Sequence, residues 1–179
     1  MKRIIFILND LERGGIPRVT LNLLAALDTT RVKADVFCAN PRGIFLEELC
    51  QCQNVRVLPS SLTLRALTCN WRKERGLFRP YSILLKLIRH AFWKITKHDL
   101  LNSLAQRLAK NFSSMHYDWA IATSEGLPAD IARNITASRA IWIHNDYAHD
   151  CSSKMPGLEE KLSDFERIVC VAEHARQSL

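Results

Sequence analysis

Two kinds of pattern alternate along the chain. Residues 3–8, 33–39, 55–58, 118–123, 139–143 and 167–171 are short apolar runs, and they predict six strands. Between them, residues 16–27, 44–50, 127–134 and 158–165 read as helices. Ile16, Val19, Leu23, Leu24 and Leu27 are the expected inner stripe of the first helix. Pro17 suits its first turn, where a missing N–H costs nothing. Residues 60–80 show neither rhythm and read as a loop rich in Arg and Lys. A long helical stretch follows over residues 81–112, with a break near 96–99. A last helix opens at Ala172, and neither a C-cap glycine nor a proline closes it, so the sequence is expected to be interrupted there.

The repeated strand–helix order predicts an α/β three-layer sandwich. Its strands are too uniformly apolar for a sheet with one wet face, so a mostly parallel sheet of about six strands is expected, with helices on both sides. In such a sheet, ligands bind beyond the carboxyl ends of the strands. The loops that would gather there start near Asn9, Asn40, Pro59, Ser124, His144 and Ala172.

Gly14 and Gly15 join the first strand to the first helix. Their turn is either a plain connection or a place where a phosphate or sugar approaches bare backbone at a helix N-terminus. It is neither G-x-G-x-x-G nor a P-loop, which disfavours nicotinamide dinucleotides and P-loop chemistry. His144 follows the fifth strand. It is placed to donate to a hydroxyl or shuttle a proton, or else to be held by a nearby carbonyl. Asn145 and Asp146 stand beside it. Glu125 either orients an acceptor hydroxyl or sits solvated in its loop. Without a Ser-His-Asp order or a metal-ligand helix, hydrolase readings have little support.

The chain of 179 residues predicts one domain over 1–179, with a basic helical insertion at about 60–112. No apolar run approaches the roughly 20 residues that cross a bilayer. Met1-Lys2-Arg3 leads straight into a strand with no signal-peptide cleavage site, so a cytoplasmic location is expected. Cys38, Cys50, Cys52, Cys69, Cys151 and Cys170 follow neither a disulfide nor a zinc spacing. Reduced thiols and no metal are expected, with Cys38 and Cys170 as small core hydrophobes.

Charge is what singles out the insertion. Between Arg65 and His98 stand nine Lys or Arg against Glu74 alone, a balance of +8 in a chain of net +7, so the remainder sums to −1. Leu84, Leu87, Ile88, Ala91, Phe92 and Ile95 mark one helix face. Lys86, Arg89, His90, Trp93, Lys94 and Lys97 mark another. A solvated face, attraction to anionic lipid through Lys86, Arg89, Trp93, Lys94 and Lys97, and nucleic-acid binding are the three readings. Nucleic acid comes last, since the aromatic residues offer no stacking platform.

The run from Asn9 through Gly14-Gly15-Ile16-Pro17 to Val19 resembles the opening of the family-4 glycosyltransferases. Residues 118–123, 141–147 and 168–176 resemble that family's later strands. The resemblance implies the N-terminal, acceptor-side half of a GTB fold, a Rossmann-like domain whose C-terminal donor-binding partner is absent from these residues. It implies retaining transfer from a UDP- or GDP-sugar to a lipid-linked or saccharide acceptor, in the synthesis of bacterial surface polysaccharide. No metal or other cofactor is required. By position, Gly14 and Gly15 approach the donor phosphate and acceptor, and His144 contacts the donor sugar. Ala172 stands where the family usually has serine. The expected protein lies at the inner face of the cytoplasmic membrane, with little activity without its other half. The rival expectation is a sugar- or lipid-binding module that lacks the chemistry.

Overall fold

The computed structural model describes residues 1–53, 55–144 and 158–177. β1 (Lys2–Asp10) leads to α1 (Gly15–Ala26), then β2 (Val32–Asn40), α2 (Leu46–Gln51) and β3 (Val55–Leu58). Three helices follow: α3 (Leu62–Thr68), α4 (Phe78–Thr96) and α5 (Leu100–Ser113). Then come β4 (Trp119–Ala122), α6 (Leu127–Ala132), β5 (Ser138–Ile143), α7 (Leu158–Leu162), β6 (Arg167–Cys170) and α8 (Glu173–Gln177).

The six strands form one parallel sheet in the order β3-β2-β1-β4-β5-β6. The chain winds outward from β1 to β3, returns beside β1 as β4, and winds outward again to β6. That is a Rossmann-like topology, and its switch point lies between β1 and β4.

Alternation along the strands feeds two cores. Ile5, Ile7, Phe37 and Ala39 pack with Leu64 of α3, Ala105, Ala109 and Phe112 of α5, and Ile131 of α6. Phe6, Leu8, Val36 and Cys38 face the other way, onto Leu21 and Leu24 of α1 and Leu49 of α2. Residues 5–8 of β1 are therefore buried without a gap, as a strand covered on both faces must be.

The structure corrects two local expectations. Residues 60–80 contain a helix, α3, whose Leu64, Ala66 and Leu67 are buried and whose N-cap Ser61 accepts a hydrogen bond from the Leu64 N–H at 3.1 Å. In α1 the inner stripe is Pro17, Thr20, Leu21 and Leu24, while Val19 and Leu23 are exposed. Thr20 tolerates burial because its hydroxyl donates to the Ile16 carbonyl at 2.8 Å. The break between α4 and α5 falls as expected. Lys97 ends α4 in the left-handed region at φ 59°, and Asp99 caps α5 through the Leu101 N–H.

Cys38 has no exposed surface, and burial pushes its thiol up to about 12, while Cys50 is exposed. At about pH 8, iodoacetamide is expected to alkylate Cys50 in the folded protein and to spare Cys38. Peptide mass spectrometry showing both thiols labelled at the same rate would contradict the buried placement of β2.

Candidate functional site at the switch point

A cavity of about 200 Å³ opens where β1 and β4 part. Asn9, Asp10, Glu12, Arg13, Gly14, Gly15, Ile16, Pro17 and Ser124 line it. The sheet ladder continues past the end of β4 to hold this corner. Both the N–H and the hydroxyl of Thr123 donate to the Ile7 carbonyl, each at 3.1 Å. The next residue, Ser124, thereby stands against Asn9, whose side-chain amide donates to its hydroxyl at 3.4 Å.

The floor of the cavity is the N-terminus of α1. No side chain caps that helix, and Pro17 has no N–H to satisfy. Among the described residues no group outside the helix accepts from the N–H of Gly14, Gly15 or Ile16, and the helix dipole favours an anion there. A Cβ added at Gly15 would meet nothing within 4 Å, and one at Gly14 only Pro17 at 3.8 Å. Packing within the protein therefore gives neither position a need for glycine. A Cβ at Gly15 would stand in open space, and Gly15 is one of the residues that line the cavity.

The remaining lining is polar, and it includes the Arg13 guanidinium. Asn9, Asp10 and Ser124 bring amide, carboxylate and hydroxyl groups to one side of the glycine turn. Glu12, the other carboxylate, is paired with Lys73. The sequence placed Asn9 and Ser124 at loop starts without assigning them to the site. Their position next to each other follows from the β1–β4 pairing, which no local pattern encodes.

His144 and Glu125 sit at the adjoining strand tips but do not line this cavity. The His144 N–H donates to Glu125 Oε1 at 3.2 Å, and His144 Nε2 lies 2.9 Å from the Thr123 carbonyl. A carbonyl only accepts, so Nε2 carries the hydrogen of this contact. Thr123 thus links the two corners: its amide holds the β1 tip and its carbonyl orients the imidazole. Asn145 and Asp146 lie outside the described residues. Asn40, at the tip of β2, buries a side-chain oxygen that no described group donates to.

The basic insertion is fastened to this same edge. Lys73 pairs with Glu12 of the glycine loop, and the buried Glu74 pairs with Arg42 at the β2 tip. Arg42 also lies over the Phe78 ring, 5.5 Å from its centre, where α4 begins. Two of the helix's expected surface cations turn toward the protein. Lys86 donates to the Cys69 carbonyl, and Arg89 grips Asp99. The Arg89 hydrogen bonds hold the Asp99 carboxyl below its ordinary range. Trp93, Lys94 and Lys97 remain exposed.

Among the described residues, no helix is long and apolar enough to cross a membrane, and no group of three or more His, Cys, Asp or Glu is placed to hold a metal ion. No protein-family model, no curated protein and no solved structure matches the chain.

Proposed function

We propose that the chain is the acceptor-side domain of a glycosyltransferase that moves a sugar from a UDP- or GDP-sugar to a lipid-linked or saccharide acceptor. The observation that supports the reading is the switch-point cavity, where an uncapped helix N-terminus meets Asn9, Asp10 and Ser124. That pairing suits a ligand that is anionic at one end and hydroxylated at the other. A nucleoside diphosphate leaves only when positive potential faces its departing oxygens. The Gly14–Ile16 amides supply part of it, and basic side chains of a second domain would supply the rest. His144, with Nε2 committed to Thr123, presents the rest of its ring at the next strand tip, where it would hold a hydroxyl of the transferred sugar.

Amide NMR tests this directly. Millimolar UDP-sugar, GDP-sugar or acceptor saccharide is expected to shift the Gly14, Gly15, Ile16 and Ser124 resonances. Gly15→Val is expected to abolish those shifts while leaving Tm within about 2 °C, because its Cβ would meet no protein atom within 4 Å. A panel that moves none of these resonances, or shifts that survive Gly15→Val, would overturn the proposal. Shifts from acceptor sugars alone, without any from nucleotide sugars, would favour a binding module over a transferase half.

A further inference from the structure

α3 and α4 run side by side, and α4 outlasts its neighbour. Thr63 Oγ1 lies 3.4 Å from the Tyr81 hydroxyl, the Ser82 hydroxyl donates to the Ala66 carbonyl at 2.9 Å, and Lys86 Nζ donates to the Cys69 carbonyl. α3 ends at Thr68 while α4 continues to Thr96, so the later turns of α4 run past the end of α3. A helix that covers a core carries apolar residues on its inner face. Here the positions in line with the buried Ser82, at four-, three- and four-residue steps, are Lys86, Arg89 and Trp93. A cavity of about 370 Å³ lies against them, lined by Leu67, Lys86, Arg89, His90, Trp93 and Asp99. Small-molecule sites occupy about 300–1,000 Å³.

Two cations of this lining are held in place with donors to spare. The Cys69 carbonyl takes one of the three N–H groups of Lys86. Arg89 meets Asp99 side-on, through Nε at 2.7 Å and through Nη2. That leaves Nη1 and the outer N–H of Nη2 side by side, and no described group accepts from them. Such a fork matches two oxygens of one phosphate. Asp99 is itself occupied, by Arg89 and by the Leu101 N–H. Lys97 Nζ lies over the Trp93 ring, 5.3 Å from its centre. Lys86, Arg89 and Lys97 are thus three positive charges against the one negative charge of Asp99, a balance of +2 that a dianion matches. The wall beside these charges is aromatic. Trp93 is 46% exposed, and the His90 ring stands 29° from parallel to it with centres 6.2 Å apart. A flat group finds stacking surface there.

We infer that this cavity takes a phosphate monoester that carries a flat ring, a nucleoside monophosphate being the simplest, with its phosphate on Lys86 and the outer fork of Arg89 and its ring against Trp93. Inorganic phosphate would leave most of the space unfilled. An uncharged ring would leave the cations unmatched. The cavity shares no lining residue with the one at the switch point, so binding here does not depend on glycosyl transfer.

Calorimetric titration with AMP, ribose 5-phosphate and inorganic phosphate decides it, with the location read from the Trp93 indole N–H by NMR. AMP is expected to shift that resonance and to bind about fivefold or more tighter than ribose 5-phosphate, the least that stacking one base on an aromatic side chain contributes. Trp93→Leu, at a half-exposed position, is expected to erase the difference between the two esters. Arg89→Lys keeps a cation beside Asp99 but has no fork, and AMP affinity is expected to fall about tenfold. Gly15→Val is expected to leave AMP binding unchanged. No binding at millimolar AMP, equal affinity for AMP and ribose 5-phosphate, or undiminished binding by Arg89→Lys would overturn the inference. So would AMP shifts confined to Gly14, Gly15 and Ile16, which would put the nucleotide in the switch-point cavity alone. An oligoadenylate that moves the Trp93 resonance where AMP does not would also overturn it, in favour of a nucleic-acid groove.

Discussion

Gly43→Ala is expected to destabilise the protein by about 4 kcal/mol or more, lowering Tm by roughly 8–16 °C. Gly43 stands at φ 134°, a region that L side chains rarely enter. A Cβ there would lie 1.9 Å from the Leu11 carbonyl oxygen and 2.4 Å from the Glu12 amide nitrogen. Neither neighbour is a flexible side chain able to swing away. The Leu11 N–H donates to the Arg42 carbonyl at 3.0 Å, and the Leu11 carbonyl accepts from the Phe45 N–H at 3.3 Å. The loops after β1 and β2 are laced together at this point, and relieving the clash means unlacing them. The glycine turn and its cavity lie directly downstream of Leu11. Surviving folded Gly43→Ala protein is therefore expected to show displaced Gly14 and Gly15 amide resonances even without ligand. Thermal denaturation within 1 °C of the parent would refute the close approach of the two loops. Gly15→Val is the counterpart: a Cβ at Gly15 meets open space, so the substitution tests the ligand rather than the fold.

How much of this was legible beforehand differs by element. Strands of a covered parallel sheet are unbroken apolar runs ended by polar or turn residues, so residues 3–8 and 55–58 announce β1 and β3 with little ambiguity. Phase within a helix is harder. In α1, Val19 and Leu23 are as apolar as Leu21, and only the contact with the sheet decides that Thr20 and Leu21 face inward. The helix α3 is hard to read locally because its short apolar pattern, Leu64, Ala66 and Leu67, adjoins the cationic run that begins at Arg65. The two faces of α4 were visible as two faces. Which one met the body was not, since that depends on carbonyls at Ala66 and Cys69 and on the Asp99 carboxylate. At the site, the glycine turn reads locally. The contact of Ser124 with Asn9 across more than a hundred residues belongs to strand order, a property of the assembled sheet.

The second large effect is expected at Asp35, the buried carboxylate of the sheet. Its side chain is 2% exposed, and three groups converge on it. Arg56 binds both carboxylate oxygens, Arg3 approaches at 3.7 Å, and the Tyr117 hydroxyl donates to Oδ2. The arrangement ties β2 to β3 and to the segment that enters β4, far from the strand tips. Asp35→Ala would strand the Tyr117 hydroxyl in the core and leave two guanidinium groups facing a void. Breaking such a set costs about 3 kcal/mol, toward the low end for buried pairs because Arg56 is half exposed. A fall in Tm of roughly 6–12 °C is the corresponding result. Tyr117→Phe alone is expected to cost about 1 kcal/mol, and in the Asp35→Ala background nothing further, because the bond it removes is already gone. Alkali provides an independent reading. Burial first, then the Asp35 carboxylate, push the Tyr117 hydroxyl above its ordinary value of 10.0. Between the unfolded and folded values the unfolded chain holds fewer protons, so stability present below pH 10 falls as pH rises past it. That fall is expected to be shallower in Tyr117→Phe. An Asp35→Ala protein as stable as the parent, or additive losses in the double variant, would mean that the four side chains do not act together.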